Sequence, residues 1–192
     1  DDHHGVLPLV RGPPSAVLAG RVSGAMETAV MTFLPLYGLR LGLTETNASL
    51  LLTAAVLGNV AFQIPIGLIS DKVDRRILLL VCSLVGSAGA LTLPFVAVSS
   101  PLFLAMIFLA TGIVGSLYTV GLAHLGERFH GADLAAANAA FVMLYSVGLI
   151  VGPPVAGLGM RLYNPYGFAF VICGMLAMYA AVVASRLALR AR

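Results

Sequence analysis

Gly67-Leu68-Ile69-Ser70-Asp71-Lys72-Val73-Asp74-Arg75-Arg76 is the stretch on which the fold turns. Five of the six residues from 71 to 76 are charged, while the runs on either side, residues 48–70 and 77–98, carry no charge at all. The hydrocarbon core of a bilayer is about 30 Å thick, which a helix of about 20 apolar residues crosses. Backbone N–H and C=O groups find no water there, so a long apolar run satisfies them internally, as helix. The quoted stretch is therefore a tight polar turn between two membrane helices.

The same pattern repeats along the chain. Apolar runs at residues 15–37, 48–70, 77–98, 102–125, 134–160 and 166–185 predict six transmembrane helices joined by short loops. Composition agrees, with 59% hydrophobic and 10% charged residues among 192, against about 25% charged in soluble domains. The expected fold is an all-α membrane protein: residues 1–14 form a cytoplasmic linker and 15–192 one six-helix domain. Asp74 and Asp133 fall where N-caps of the third and fifth helices would lie. Nine basic residues (Arg11, Arg21, Lys72, Arg75, Arg76, Arg128, Arg186, Arg190, Arg192) fall on one side and two (Arg40, Arg161) on the other. The side richer in Lys and Arg is cytoplasmic, so both termini are expected in the cytoplasm. The net charge of +3 is thus topological, and no nucleic-acid partner is expected. No metal or redox spacing links Cys82 and Cys173; His3-His4 could ligate a metal but reads as an incidental pair near the chain end, so no metal and no cofactor is expected.

Polar residues inside the runs mark the candidate site. Arg21 and Glu27 are the only formal charges within the six runs. Arg21, near the cytoplasmic boundary, is expected to snorkel. Glu27 lies at mid-depth, where an ionisable group faces a cavity or a partner, and it can take a cation or a proton. The third and sixth runs contain no carboxylate, amide or histidine and are expected to face lipid. The other four are expected to face one another or a cavity through Glu27, Asn59, Gln63, Tyr118, Asn138 and Tyr145, the candidate substrate or proton ligands. Asn59 and Gln63, four apart, share a helix face. Each of these polar residues can equally hold helices together. His124 sits near a helix end, where an imidazole can carry a proton. The second run ends Ile66-Gly67-Leu68 and the fifth Ala156-Gly157-Leu158, each after a proline. Such matched interruptions are what inverted repeats leave behind.

The quoted turn resembles the signature loop of the major facilitator superfamily: a glycine, a spacer, an aspartate, a basic residue and a basic pair, with Asp74 where a second glycine is usual. Gly148-Leu149-Ile150-Val151-Gly152-Pro153-Pro154-Val155-Ala156-Gly157 resembles the antiporter motif of the same superfamily, with Ala156 replacing a glycine. Its GxxxG step permits close helix approach, and its Gly-Pro-Pro step permits a bend. Leu34-Pro35-Leu36-Tyr37, Gly58-Asn59, Tyr118-Thr119-Val120-Gly121 and Ala137-Asn138 complete a likeness, over about residues 18–185, to the C-terminal half of YcaD-like members.

The resemblance implies secondary active transport of a small solute across a bacterial inner membrane by alternating access, as efflux and with proton coupling. It also implies a fold of three plus three helices related as inverted repeats. Gly67, Asp71, Lys72, Arg75, Arg76 and Glu127 would form a gating loop, with Asp71 meeting a neighbouring helix N-terminus, Arg75 paired to Glu127, and Gly67 allowing close approach. Gly148, Gly152, Pro153 and Gly157 would serve helix bending and packing. The expected partners are the lipid bilayer, a small-molecule substrate and the N-terminal six-helix half or a second copy. No catalytic residue is expected: an intramembrane serine protease needs its histidine on another helix from its serine, and Ser116 and His124 share one. Water channels carry paired Asn-Pro-Ala half-helices, against a single Asn164-Pro165-Tyr166 here. A non-transporting assembly or sensor module derived from a transporter stays open as the alternative.

Overall fold

The computed structural model describes residues 14–190. The expected linker up to residue 13, His3, His4, and the topological residues Arg11 and Arg192 lie outside the described residues. Six helices follow one another: α1 Pro14–Arg40, α2 Glu45–Ser70, α3 Arg75–Thr92, α4 Pro101–Gly126, α5 Gly131–Leu162 and α6 Gly167–Arg190, with a 3-10 turn Leu93–Phe95 after α3. Five of them, α2 to α6, are long and apolar enough to cross a membrane. α1 has the length but carries Arg21 and Glu27 among small and polar residues.

Polar caps set the helix ends. Thr44 accepts from Asn47 N–H, Asp74 from Arg76 N–H, and Ser100 from Phe103 N–H. The helices therefore start one to three residues before the apolar runs do. Asp74 caps α3 as expected, through a 2.8 Å bond. Asp74→Ala is expected to cost about 1 kcal/mol, the usual value of an N-cap, read as a lowered thermal unfolding midpoint. Asp133 is not a cap. α5 starts earlier, after His130, and Asp133 falls inside its first turn, where its charge still suits the helix dipole. α3 stops at Thr92 rather than running to 98, because Pro94 has no N–H to extend the ladder.

The packing has the symmetry of two exchanged triplets. α1 packs most extensively on α5, and α2 on α4, while α3 and α6 pack on each other. Exchanging α1–α3 with α4–α6 turns the first pairing into the second and leaves the third unchanged, which is the three-plus-three inverted repeat. Matching side chains make both equivalent seams. Thr28 Oγ1 of α1 donates to the Leu149 carbonyl of α5 at 3.0 Å, and Thr111 Oγ1 of α4 to the Ala55 carbonyl of α2 at 3.1 Å. Each seam is also closed by glycine. A Cβ on Gly148 or Gly152 would overlap the carbonyl oxygens of Arg21 or Ala25, and one on Gly58 would overlap that of Phe108. The GxxxG step of α5 is thus a backbone-to-backbone contact with α1.

One expectation needs correction. Gly67 is not a point of close approach, since a Cβ there would meet nothing within 4 Å. α3 and α6 also cover each other. They share a seam of Leu79, Cys82, Gly86 and Leu176, and the apolar window of α6 is 44% buried, against 22% for α2 and 17% for α5. Small residues, not polar ones, build that seam, so polarity alone is a poor guide to cover. α5 continues through Pro153 and Pro154 without a break.

Candidate functional site

Glu27 is the middle residue of α1, with thirteen residues on either side. Its carboxylate is exposed on the helix face beside α5 and accepts a 2.6 Å hydrogen bond from the Tyr145 hydroxyl. The close α1–α5 seam sets this pairing: Gly24 lies against the Tyr145 backbone, one turn before Glu27. Tyr145 in turn meets Tyr118 of α4 edge-on, with ring centroids 5.1 Å apart, and Tyr118 meets Phe141 at 5.3 Å. A short O–H bond to an ionised acceptor is among the stronger kinds, and it fixes where the carboxylate points.

Beside this group lies a cavity of about 80 Å³. Ser23, Glu27, Asn59, Thr111 and Tyr118 supply its polar groups, and Glu27 is the one charged residue lining it. The rest of the wall is apolar and comes from α1, α2, α3, α4, α6 and the turn after α3, so the cavity lies within the bundle. Asn59 packs against Gly115 of α4 and accepts a 2.8 Å bond from Gln63. Of the six expected ligands, Glu27, Asn59 and Tyr118 line the cavity, and Tyr145 and Gln63 stand behind them as bonding partners. Asn138 stands apart, two helical turns from Tyr145, with Oδ1 buried and unpaired.

A second polar cluster joins the α2–α3 turn to the end of α4. Arg75 is its centre and only 15% exposed. It reaches Asp71 Oδ1 at 3.0 Å and Glu127 Oε1 at 3.1 Å. It also donates to the carbonyls of Ala123 (2.7 Å) and Ser70 (3.3 Å). The expected pairing of Arg75 with Glu127 is present. Asp71 meets the start of α3 through the Arg75 side chain rather than through backbone N–H groups. Lys72 is exposed.

His124 belongs to this cluster, which its apolar sequence surroundings did not reveal. It is 3% exposed. Its Nε2 accepts from Arg76 Nε at 3.4 Å, and its Nδ1 lies 3.2 Å from Glu127 Oε2. With Nε2 as acceptor, the neutral ring carries its hydrogen on Nδ1 and donates it to Glu127. The spacing His124–Glu127, three residues across a helix end, was the available signal. At the opposite end of the bundle, Arg40 Nη1 donates to Asn164 Oδ1 at 2.7 Å and ties the end of α1 to the α5–α6 loop.

The profile of the Major Facilitator Superfamily matches residues 16–192. The chain belongs to the major facilitator superfamily. It is 31% identical, over 166 residues and 83% of its length, to the MFS-type transporter YfkF of Bacillus subtilis. It is 26% identical over 82% of its length to an MFS-type transporter of Yersinia enterocolitica, and 25% over 82% to the MFS-type transporter YcaD of Salmonella paratyphi B. The chain spans about two fifths of the length of these superfamily members, 41% of the first and 40% of the others. Superfamily membership together with the apolar helices makes it an integral membrane protein.

Proposed function

We propose that the chain forms the C-terminal six-helix half of a twelve-helix secondary transporter of a bacterial inner membrane, with both termini cytoplasmic. It moves a small solute outward by alternating access and couples that movement to protons through Glu27. The observation that carries this reading is Glu27 itself: a carboxylate at the midpoint of a membrane helix, held by Tyr145 at 2.6 Å and the one charged residue lining the cavity. A carboxylate at mid-membrane depth is costly in lipid and binds a proton or a cation, one at a time, which is the requirement for exchange.

Further features support it. Residues with high exposure on α2 and α5, such as Ile64 and Ile150 at 74% each, offer surfaces for an N-terminal half or a second copy to cover. The Arg75 cluster has the composition of a gate, since ion pairs and carbonyl bonds that form in one state can break in another. Asp71, Arg75, Arg76, His124 and Glu127 then latch the cytoplasmic ends of α2, α3 and α4 in one of the alternating states.

The test is transport in vesicles that hold the full-length product, driven by an imposed pH gradient and screened over a panel of lipophilic dyes and small metabolites. Wild type is expected to show pH-dependent movement of at least one solute. Glu27→Gln is expected to retain exchange of that solute while losing the pH dependence. Unchanged pH dependence in Glu27→Gln overturns the coupling role.

A further inference from the structure

Ser23 lies one helical turn before Glu27 on α1 and lines the same cavity. It is 5% exposed, and its Oγ has no hydrogen-bond partner. A buried hydroxyl without a partner carries a desolvation cost, and native proteins leave few such groups. Here the group lines the cavity wall, where a bound donor satisfies it. Beyond Ser23, Glu27, Asn59, Thr111 and Tyr118 the wall is apolar. Leu34 and Leu176 are buried to 1% and 0% exposure, and Phe168 and Ile172 to 2% and 6%. Gly86 and Ala90 of α3 keep the space open.

The cavity thus has one carboxylate, one buried hydroxyl without a partner, and an interior that is apolar apart from Asn59, Thr111 and Tyr118. A ligand that meets all three carries a cationic nitrogen with at least two N–H donors and an alkyl group. Size narrows it further. An apolar cavity of roughly 150 Å³ accepts benzene; one of about 80 Å³ accepts a short alkyl chain and rejects a ring. Resting on the reading of Glu27 as the cation or proton ligand, we infer that the site takes a primary alkylammonium group. Its nitrogen bonds Glu27 and Ser23, and its alkyl chain inserts inside this six-helix bundle, between α1 and α4 on one side and α3 and α6 on the other. Binding of this ammonium and of a proton at Glu27 is mutually exclusive, which makes such an amine a substrate for proton exchange.

The experiment is calorimetric titration of the full-length product in lipid nanodiscs with methyl-, ethyl-, propyl-, butyl- and hexylammonium, and with tetramethylammonium. Affinity is expected to rise about fourfold per methylene, the value of burying one CH₂, up to the chain that fills the cavity, and then to level off. Tetramethylammonium, without N–H donors, is expected to bind at least tenfold more weakly than butylammonium. Ser23→Ala removes an unpaired oxygen, so the fold is expected to tolerate it, and butylammonium should then bind about tenfold more weakly. Ala55→Leu, which fills the cavity, should flatten the dependence on chain length; Ile172→Val, a smaller change in the same wall, should extend it. Binding that needs Glu27 but ignores both Ser23 and chain length overturns the alkylammonium site and leaves the carboxylate reading standing. Absence of binding, with a proton coupling that Glu27→Gln does remove, overturns the alkylammonium site alone. Absence of binding, with a coupling that Glu27→Gln leaves intact, overturns both.

Discussion

Gly148→Ala is expected to cost about 3 kcal/mol of stability or more, at the upper end of what overpacking costs, while Gly174→Ala is expected to cost nothing measurable. The two changes add the same methyl group to helix interiors. At Gly148 the new Cβ overlaps the Arg21 carbonyl oxygen and comes within 2.8 Å of the Ala25 nitrogen. Both obstacles are backbone of a packed helix and cannot swing aside as a side-chain tip would. The α1–α5 pair has to separate, which also strains the Thr28 bond to Leu149 and the Tyr145 bond to Glu27. At Gly174 a Cβ meets nothing within 4 Å. Gly152→Ala should behave like Gly148→Ala, and Gly67→Ala like Gly174→Ala. The measurement is the thermal unfolding midpoint of the full-length product in detergent, with size-exclusion profiles as a check on assembly. Equal midpoints for Gly148→Ala and Gly174→Ala would refute the close seam.

Arg75→Ala is the second large effect, expected at about 2–3 kcal/mol. The guanidinium makes four contacts at 2.7–3.3 Å, two to carboxylates and two to carbonyls. The carboxylate partners are 66% and 51% exposed, so water and salt screen that share to about 1 kcal/mol or less. The carbonyl bonds supply the larger part, because a hydrogen bond from a charged donor contributes about 1.5–3 kcal/mol. Three consequences separate the shares. Glu127→Gln should cost no more than about 1 kcal/mol. Raising the salt concentration should reduce the cost of Glu127→Gln more than that of Arg75→Ala. Arg75→Lys should recover less than half of the loss, because an ammonium cannot donate along the directions a planar fork reaches. A loss in Arg75→Ala no greater than in Glu127→Gln would mean that the carbonyl contacts contribute little and the cluster is only a solvated ion pair.

Much of the fold is legible in the sequence because the bilayer imposes one length and one secondary structure on every apolar run. The helix ends are less so. Hydropathy finds where lipid contact begins, whereas the hydrogen-bond ladder begins at a cap, which is polar; hence Glu45-Thr46-Asn47 belongs to α2 although none of it is apolar. Glu27 and Tyr145 each stand out as polar residues in apolar runs. That they touch depends on the axial register of two helices, and glycine contacts set that register at a resolution no periodicity carries. Arg75 and Glu127 could be matched because a shared motif names both. His124 could not, since a single imidazole at the end of an apolar helix looks the same whether it faces lipid, water or a guanidinium. The α3–α6 seam hid for a related reason: small apolar residues fit equally against lipid tails and against another helix.

The exchanged pairing of the triplets bears on how the protein is made. Of these six helices α1 is made first, and it is the one of them without a strongly apolar window. Its main neighbour is α5, and the hydroxyl that engages Glu27 is encoded 118 residues later. During synthesis α1 therefore has to stay beside the insertion machinery, or pair provisionally with α2 or with a preceding half, until four more helices have emerged. Biogenesis, not the finished assembly, is the stage at which Arg21 and Glu27 are most exposed to lipid. Slowing elongation between codons 40 and 140 should raise the fraction of chains lost to quality control.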